Sequence, residues 1–422
     1  MAVRSQTSTA SAAPAGASES QVRPAQGFAP ALARYPVFRR LWFASVAGSV
    51  GQWMQQIALG WLALVMTDSA AFVGLVSFAA GAPYLIVGPL GGALIDRVDR
   101  RKLMLVCQAL AALLALAVAA DVIAGTIQPW RLIAAGVLNG CLQAILTPTQ
   151  QSLVPLLVDR ADLTNAIGLT SAGQNLTRIA GPSLAGLIIG FVGVGQTFVL
   201  QAVASAIAFA LVLGIALPTR PPAAAAGRGV FDGIRLIAAR PDLRALFLLA
   251  AIPAFFVFPY LGFLNIFARD ILQIGASGLG LLMAASGAGA VIGSLLVAAR
   301  SRSESVGRQL VAATIIYGVV LMAMSLSHSV PLTMALLFTA GLLGAAFMSA
   351  NNAAIQHRIS DDVRGRVMGA YLLTFGLMPL GALPLGFLAA RIGAPMAVFV
   401  GAALSTALSA WLGFSSRALR EI

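Results

Sequence analysis

The sequence predicts an all-α polytopic membrane protein: twelve transmembrane helices in two pseudo-symmetric six-helix bundles. Three observations predict it. Hydrophobic residues make up 59% of the chain and charged residues 10%, against about 25% charged in an average soluble domain. Charge-free intervals recur along the chain, and each can hold the ~20 apolar residues that cross about 30 Å of hydrocarbon. The cations, finally, alternate with these intervals so that nearly all fall on one side.

With the N-terminus inside and twelve crossings, 23 of the 27 Lys and Arg lie in cytoplasmic segments. Arg131, Arg269 and Arg391 lie on the opposite side, and Arg178 falls inside a helix. The positive-inside rule then predicts both termini in the cytoplasm. The net charge of +13 is thus a topology device and a contact for anionic lipid. It excludes a nucleic-acid surface as the main reading.

The helices follow from the charge-free intervals in order. Helix 1 is expected over 38–66, helix 2 over 70–95, helix 3 over 102–124 and helix 4 over 130–157. The interval 179–219 is long enough to serve two crossings. Helix 5 (163–192) recruits residues upstream across Arg178, and helix 6 (196–217) takes the remainder. Helices 7 (243–268) and 8 (276–299) follow. The interval 309–357 holds helices 9 (309–327) and 10 (331–357), and helices 11 (364–390) and 12 (393–415) close the chain.

Residues 1–35, rich in Ala, Ser, Pro and Gln without an apolar run, read as a disordered tail rather than a cleaved signal. An N-terminal bundle over 36–217 and a C-terminal bundle over 243–416 flank a linker, 218–242. Its stretch Val230-Phe231-Asp232-Gly233-Ile234-Arg235-Leu236-Ile237 suits a short interfacial helix; residues 417–422 form a second tail. The bundles echo one another 200–201 residues apart. Thr147-Pro148-Thr149, Asp162, Gly168, Gly181 and Gly186 are answered by Asn351-Asn352, Asp361-Asp362, Gly369, Gly381 and Gly386. Repeats of this kind build many transporters.

Cys107 and Cys141 fall inside apolar helices, so no disulfide framework or metal cluster is expected. His328 and His357 are too far apart in the pattern to share a metal. No phosphate-binding glycine loop of the ATP-using kind is present, and no convergent catalytic set stands at one depth. No cofactor is expected, and the chain is not expected to be an enzyme.

Two motifs carry most of the functional signal. Between helices 2 and 3 stands Gly92-Ala-Leu-Ile-Asp96-Arg97-Val-Asp99-Arg100-Arg101-Lys102. Asp96 can pack between the bundles against the N-terminus of helix 11, where the helix dipole favours an anion, with Arg364 or Arg366 as partner. Such a contact would exist in one transport state and bias it. The alternative is a solvated loop that fixes topology. Helix 5 carries Gly173, then Arg178-Ile-Ala-Gly181-Pro182-Ser-Leu-Ala-Gly186. Pro182 removes a helix hydrogen bond, and Gly181 and Gly186 let a neighbour approach closely. Ordinary membrane helix packing would use the same residues.

The first motif resembles the loop 2–3 signature of the major facilitator superfamily, and the second is similar to its glycine–proline signature of exporters and antiporters. With Val363-Arg364-Gly365-Arg366-Val367-Met368-Gly369, the chain resembles the branch of bacterial exporters that holds the enterobactin exporter and the macrolide efflux proteins. The resemblance implies that fold, alternating access, a gating role for Gly92, Asp96, Arg97, Arg100 and Arg101, and export of a small molecule. Proton coupling and a monomer are expected with it. Related exporters often have an Asp in helix 1 where this chain has Gln52, which removes one site for that proton. Import of a small metabolite, or a receptor or scaffold role, is the alternative.

Candidate cavity residues are Gln52, Trp53, Gln55 and Gln56 in helix 1, Asn139 and Gln143 in helix 4, and Asn175 and Arg178 in helix 5. Phe255, Phe256 and Asn265 in helix 7 and Asn351 and Asn352 in helix 10 complete the set. Each amide could equally join helices. Together they suggest a mixed polar and aromatic cavity for an amphipathic organic molecule. Arg178 is either a ligand for an anionic or carbonyl-rich substrate or a donor to carbonyls near the Gly181–Pro182 kink.

Overall fold

The computed structural model describes residues 30–87, 98–159, 161–215, 229–299 and 305–421. Twelve long helices run through them: α1 (Pro36–Thr67), α2 (Ala70–Val87), α3 (Arg100–Ile123), α4 (Pro129–Leu157), α5 (Leu163–Phe191), α6 (Val194–Leu213), α7 (Pro241–Ile271), α8 (Gly275–Ala299), α9 (Val306–Ser325), α10 (Val330–Gln356), α11 (Asp361–Ile392) and α12 (Ala394–Ser415). Ten are long and apolar enough to cross a membrane; α1 and α5 are not among these ten. α1 carries Gln52, Gln55 and Gln56, and α5 carries Asn175 and Arg178, polar groups that their neighbours must shield from lipid.

Local chemistry sets the ends. Pro36, Pro129 and Pro241 open α1, α4 and α7, where a missing N–H costs nothing. Ser69 caps α2 by accepting from Phe72 N, and Asp99 caps α3 by accepting from Arg101 N and Lys102 N at 2.8 and 3.1 Å. Gly193 and Gly393, with φ of +119° and +83°, turn the chain from α5 into α6 and from α11 into α12. The same left-handed glycine, 200 positions apart, marks the two bundles as repeats.

Helix 7 departs from its expected continuous form. It is α-helical over Pro241–Phe256, breaks, resumes over Tyr260–Ile266 and ends in a π-helical turn at Phe267–Ile271. Pro259 has no N–H for the Phe255 carbonyl, while the amides of Val257 and Phe258 both turn to the Pro253 carbonyl at 2.9 Å. The chain also folds earlier than the tail boundary at residue 35. Pro30–Arg34 is a short helix held by Ala31 N donating to Asn165 Oδ1 at 3.2 Å and by Arg34 against Asp162. At the other terminus Leu419 is buried within Arg417–Arg420. The linker helix, Gly229–Ala239, docks on α11, where Gly233 lies against the Arg366 carbonyl. Residues 216–228 lie outside the described residues.

The buried side chains fall into three clusters, and their placement gives the shape. One contains Phe38, Met104, Leu153 and Val212, all from the N-terminal bundle near the chain's described ends. A second contains Leu246, Phe347, Val367 and Leu419, from the C-terminal bundle at the same end. The third spans both bundles at the far end, from Leu59 and Val73 to Phe263, Leu279 and Ala397. The bundles therefore share one core at the far end and have separate cores at the near end.

Two seams hold the far end shut. Gly186 of α5 meets Gly280 of α8, and Gly386 of α11 meets Gly74 of α2, in each case backbone against backbone. The seams are related by the same repeat that relates the two bundles. Small residues permit such contact because lipid supplies no hydrophobic force between helices and close packing must do so.

Candidate functional site

Helix α5 shows what lies between the bundles. Thr164, Gly168, Ser171, Asn175 and Arg178 recur at helical spacing on one face, and all five are exposed. Continued past Arg178, that face presents Pro182, Ala185, Gly186 and Ile189, all buried, with Gly186 against α8 of the other bundle. The exposed stripe therefore faces the opposite bundle, not lipid. It lines a cavity that is open at the near end and closed just beyond Arg178.

Helix α1 repeats the pattern. Ser45, Ser49 and Gln52 are half-buried and Gln56 is exposed. One turn further the same face reaches Gly60, buried against Asn265 of α7. Gln52 Nε2 donates to the Tyr84 hydroxyl at 3.2 Å, and Thr147 of α4 lies within reach of that hydroxyl. Helices α1, α2 and α4 are thus tied together at the cavity wall.

Arg178 stands at the closed end. Its guanidinium lies 5.8 Å from the centre of the Trp53 ring. It is in electrostatic range of Tyr260 and Tyr317 in the other bundle, whose hydroxyls converge with that of Ser286. A cation–π contact contributes about 0.5–2 kcal/mol, less than the ~2.5 kcal/mol or more that an intramembrane Arg costs. Access to the cavity makes up the difference.

The other predicted cavity residues divide. Gln55 is buried and accepts from Gln201 Nε2 at 2.7 Å, joining α1 to α6. Asn351 is buried and donates to the Leu246 carbonyl and the Tyr371 hydroxyl. Asn139, Gln143 and Asn265 are also buried, so these five serve packing in the arrangement described. Phe255 and Phe256 are half-buried and stack edge to face. Asn352 is half-buried and accepts from Gln356.

Gly92, Asp96 and Arg97 lie outside the described residues. Arg100 donates to the Ser152 carbonyl at 3.2 Å and Arg101 to the Leu213 carbonyl at 2.6 Å. Both are engaged within their own bundle, where a cation at a helix C-terminus suits the dipole. Arg364 and Arg366 are exposed near the start of α11. In the helix 5 motif, Gly173 meets Trp42 and Val46 of α1 and Gly181 meets Trp53.

The far mouth carries a contact that the sequence did not reveal. Arg269, in the π turn of α7, pairs with Asp68 at the end of α1 and with Asp270, and donates to the Leu64 carbonyl at 3.1 Å. The stripe through Thr164, Gly168 and Ser171 was not among the expected cavity residues, although its helical spacing carried the signal; the Arg269–Asp68 pair, 201 positions apart, gave no local signal.

The family model of transmembrane secretion effectors matches residues 25–421. The Staphyloferrin A transporter of Staphylococcus aureus is 24% identical over 79% of this chain and 85% of its own length. The multidrug efflux pump Tap of Mycolicibacterium fortuitum is 26% identical over 83% and 88%, and macrolide efflux protein A of Streptococcus pyogenes 22% over 83% and 87%. Among solved structures, a bacterial homologue of the human lysosomal transporter Spinster, inward-facing and unoccupied, superposes with a TM-score of 0.72 at 17% identity, covering 91% of this chain and 98% of that one. The nucleoside transporter NupG gives 0.69 at 16% identity, covering 91% and 98%.

Proposed function

Because the chain belongs to the transmembrane secretion effector family of the major facilitator superfamily, and so is a multi-pass bacterial membrane transporter and not an enzyme, we propose that it exports a small amphipathic organic molecule by alternating access. The observation that carries this is the pairing of one shared far-end core with two separate near-end cores. A polar-lined cavity open at one end and sealed at the other is half of an alternating-access cycle. With both termini in the cytoplasm of the inner membrane, the open end admits molecules from inside the cell, as an exporter requires for loading. The names of the relatives, two of them drug or macrolide efflux proteins, favour the same direction.

In this reading residues 36–217 and 243–416 rock as two bodies around the cavity, the linker 218–242 following the second. The protein works as a monomer. Coupling to protons belongs to the proposal, and the acids constrain it. Among the described residues every Asp and Glu lies in a connection, in the linker or near a helix end, so the proton is exchanged on the substrate or at a mouth carboxylate. Inside-out vesicles with an acidified interior are expected to accumulate a macrolide or a siderophore from a panel. They should lose it when the proton gradient is collapsed. Uptake no greater than in vesicles lacking the protein would remove the export reading.

The loop carrying Gly92, Asp96 and Arg97 serves here as the near-end gate, with Asp96 meeting the start of α11 near Arg364 and Arg366 when that mouth closes. Asp96→Asn keeps the side chain's size but removes its charge. It is expected to lower turnover several-fold, a loss of about 1–2 kcal/mol in one state only, at unchanged expression. Wild-type turnover would reduce the loop to a topology signal.

A further inference from the structure

We propose that Arg178 is a carboxylate-binding subsite and that the exported molecule is an organic acid with an aromatic or apolar body. The proposal rests on the export reading above and names its substrate class. Arg178 is an exposed residue at the end of the polar stripe, one turn before the buried stretch of α5 begins at Gly181 and Pro182. Trp53 covers one side of it. Tyr260, Tyr317 and Ser286 bring hydroxyls from the opposite bundle. A planar fork that donates to two oxygens, an aromatic face beside it and neutral donors opposite match a carboxylate attached to an apolar group.

The distribution of charge points the same way. Among the described residues Arg178 is the single cation within the middle of a membrane-length helix, and no Asp or Glu lies in the middle of one. No ion pair to it is present among the described residues. The protein therefore holds one uncompensated positive charge at the place where the cavity must dehydrate when the halves close around the cargo. Closing over an unpaired buried charge is unfavourable; closing over a carboxylate is not. The cargo then supplies the missing anion, and occlusion favours the loaded protein over the empty one. A purely structural Arg178 would instead aim its donors at carbonyls of its own bundle, and no such bond is present among the described residues.

The test uses purified full-length protein in detergent, titrated with dansyl-glycine and with the neutral dansyl-glycinamide, read by dansyl fluorescence. The acid is expected to bind about ten-fold or more tightly than the amide, the scale of a charge-assisted contact. Arg178→Gln should bring that ratio to about one while moving amide affinity less than two-fold. Arg178→Lys, which keeps the charge and loses the fork, should fall between. If the glutamine variant is not monodisperse, the wild-type ratio and the lysine variant decide the matter. Equal binding of acid and amide by the wild-type protein, no binding of the acid at millimolar concentration, or a ratio unchanged by either substitution would overturn the proposal. Vesicle accumulation of neutral compounds alone would overturn it too, while leaving export standing.

Discussion

Gly186→Leu is expected to abolish export by a protein that still inserts and purifies. A Cβ at Gly186 falls 2.4 Å from Gly280 N, 2.5 Å from Gly280 Cα and 2.8 Å from the Ala276 carbonyl oxygen. All three are backbone atoms, so no side-chain rotation relieves the clash. Overpacking of this kind costs about 1–3 kcal/mol even for modest additions. The cost falls on the state with the far end closed, because α5 and α8 must part for that end to open. Gly186→Ala should therefore shift the population toward the far-open state by roughly ten-fold or more, at about 1.4 kcal/mol per ten-fold. Gly186→Leu should leave almost no far-closed protein to load. Distances between spin labels at the exposed positions Leu187 and Leu281 would report the opening beside the transport rate. Gly136→Ala, whose Cβ lies in ordinary contact, 3.4 Å or more, with Ala80 of its own bundle, is the control and should transport normally. Wild-type transport by Gly186→Leu would mean that the seam does not govern the cycle.

Arg269→Glu is expected to open the far mouth by electrostatics instead of sterics. Arg269 holds Asp68, Asp270 and the Leu64 carbonyl together, and glutamate would set three carboxylates side by side. The magnitudes separate the contributions. The Asp68 side chain is 83% exposed, so neutralising it with Asp68→Asn should cost no more than about 1 kcal/mol. The Arg269 side chain is only 26% exposed, and its guanidinium makes a charge-assisted bond to a helix-end carbonyl, the stronger kind. Arg269→Glu should thus slow export roughly ten-fold, whereas Asp68→Asn should change it about two-fold. Raised salt should narrow the gap between them through screening. Partial rescue by Asp68→Arg in the Arg269→Glu background would establish the pair. Equal loss from Arg269→Glu and Asp68→Asn would sink this account of the mouth.

These two contacts mark where sequence reading stops. Composition and charge spacing determined the all-helical membrane fold, the order of twelve helices and most of their ends. Those properties depend on each segment's own hydrophobicity and on proline, serine and glycine at its boundaries. The repeat was legible in Gly186 and Gly386 because both bundles use the same close approach. The helix 5 motif was legible as a packing device for the same reason.

Tertiary structure decided the rest. The break before Pro259 found room because Gly381 of α11 and Gly401 of α12 lie against the Phe255 and Phe256 carbonyls. Gln55 and Asn351 became buried struts while Gln56 and Asn175 stayed exposed, although all four are amides in similar helices. That division depends on which face of each helix meets the opposite bundle, and periodicity cannot name the neighbour. Arg178 was visible in the sequence as a costly residue, yet only the arrangement of α1, α5 and α7 placed it beside Trp53 and opposite two tyrosines. Hydrophobicity is a local property and sets which segments enter the bilayer. The sealing of one end and the exposure of a charge at the other side of that seal arise from contacts about 80 to 310 residues apart, which no short window of the sequence contains.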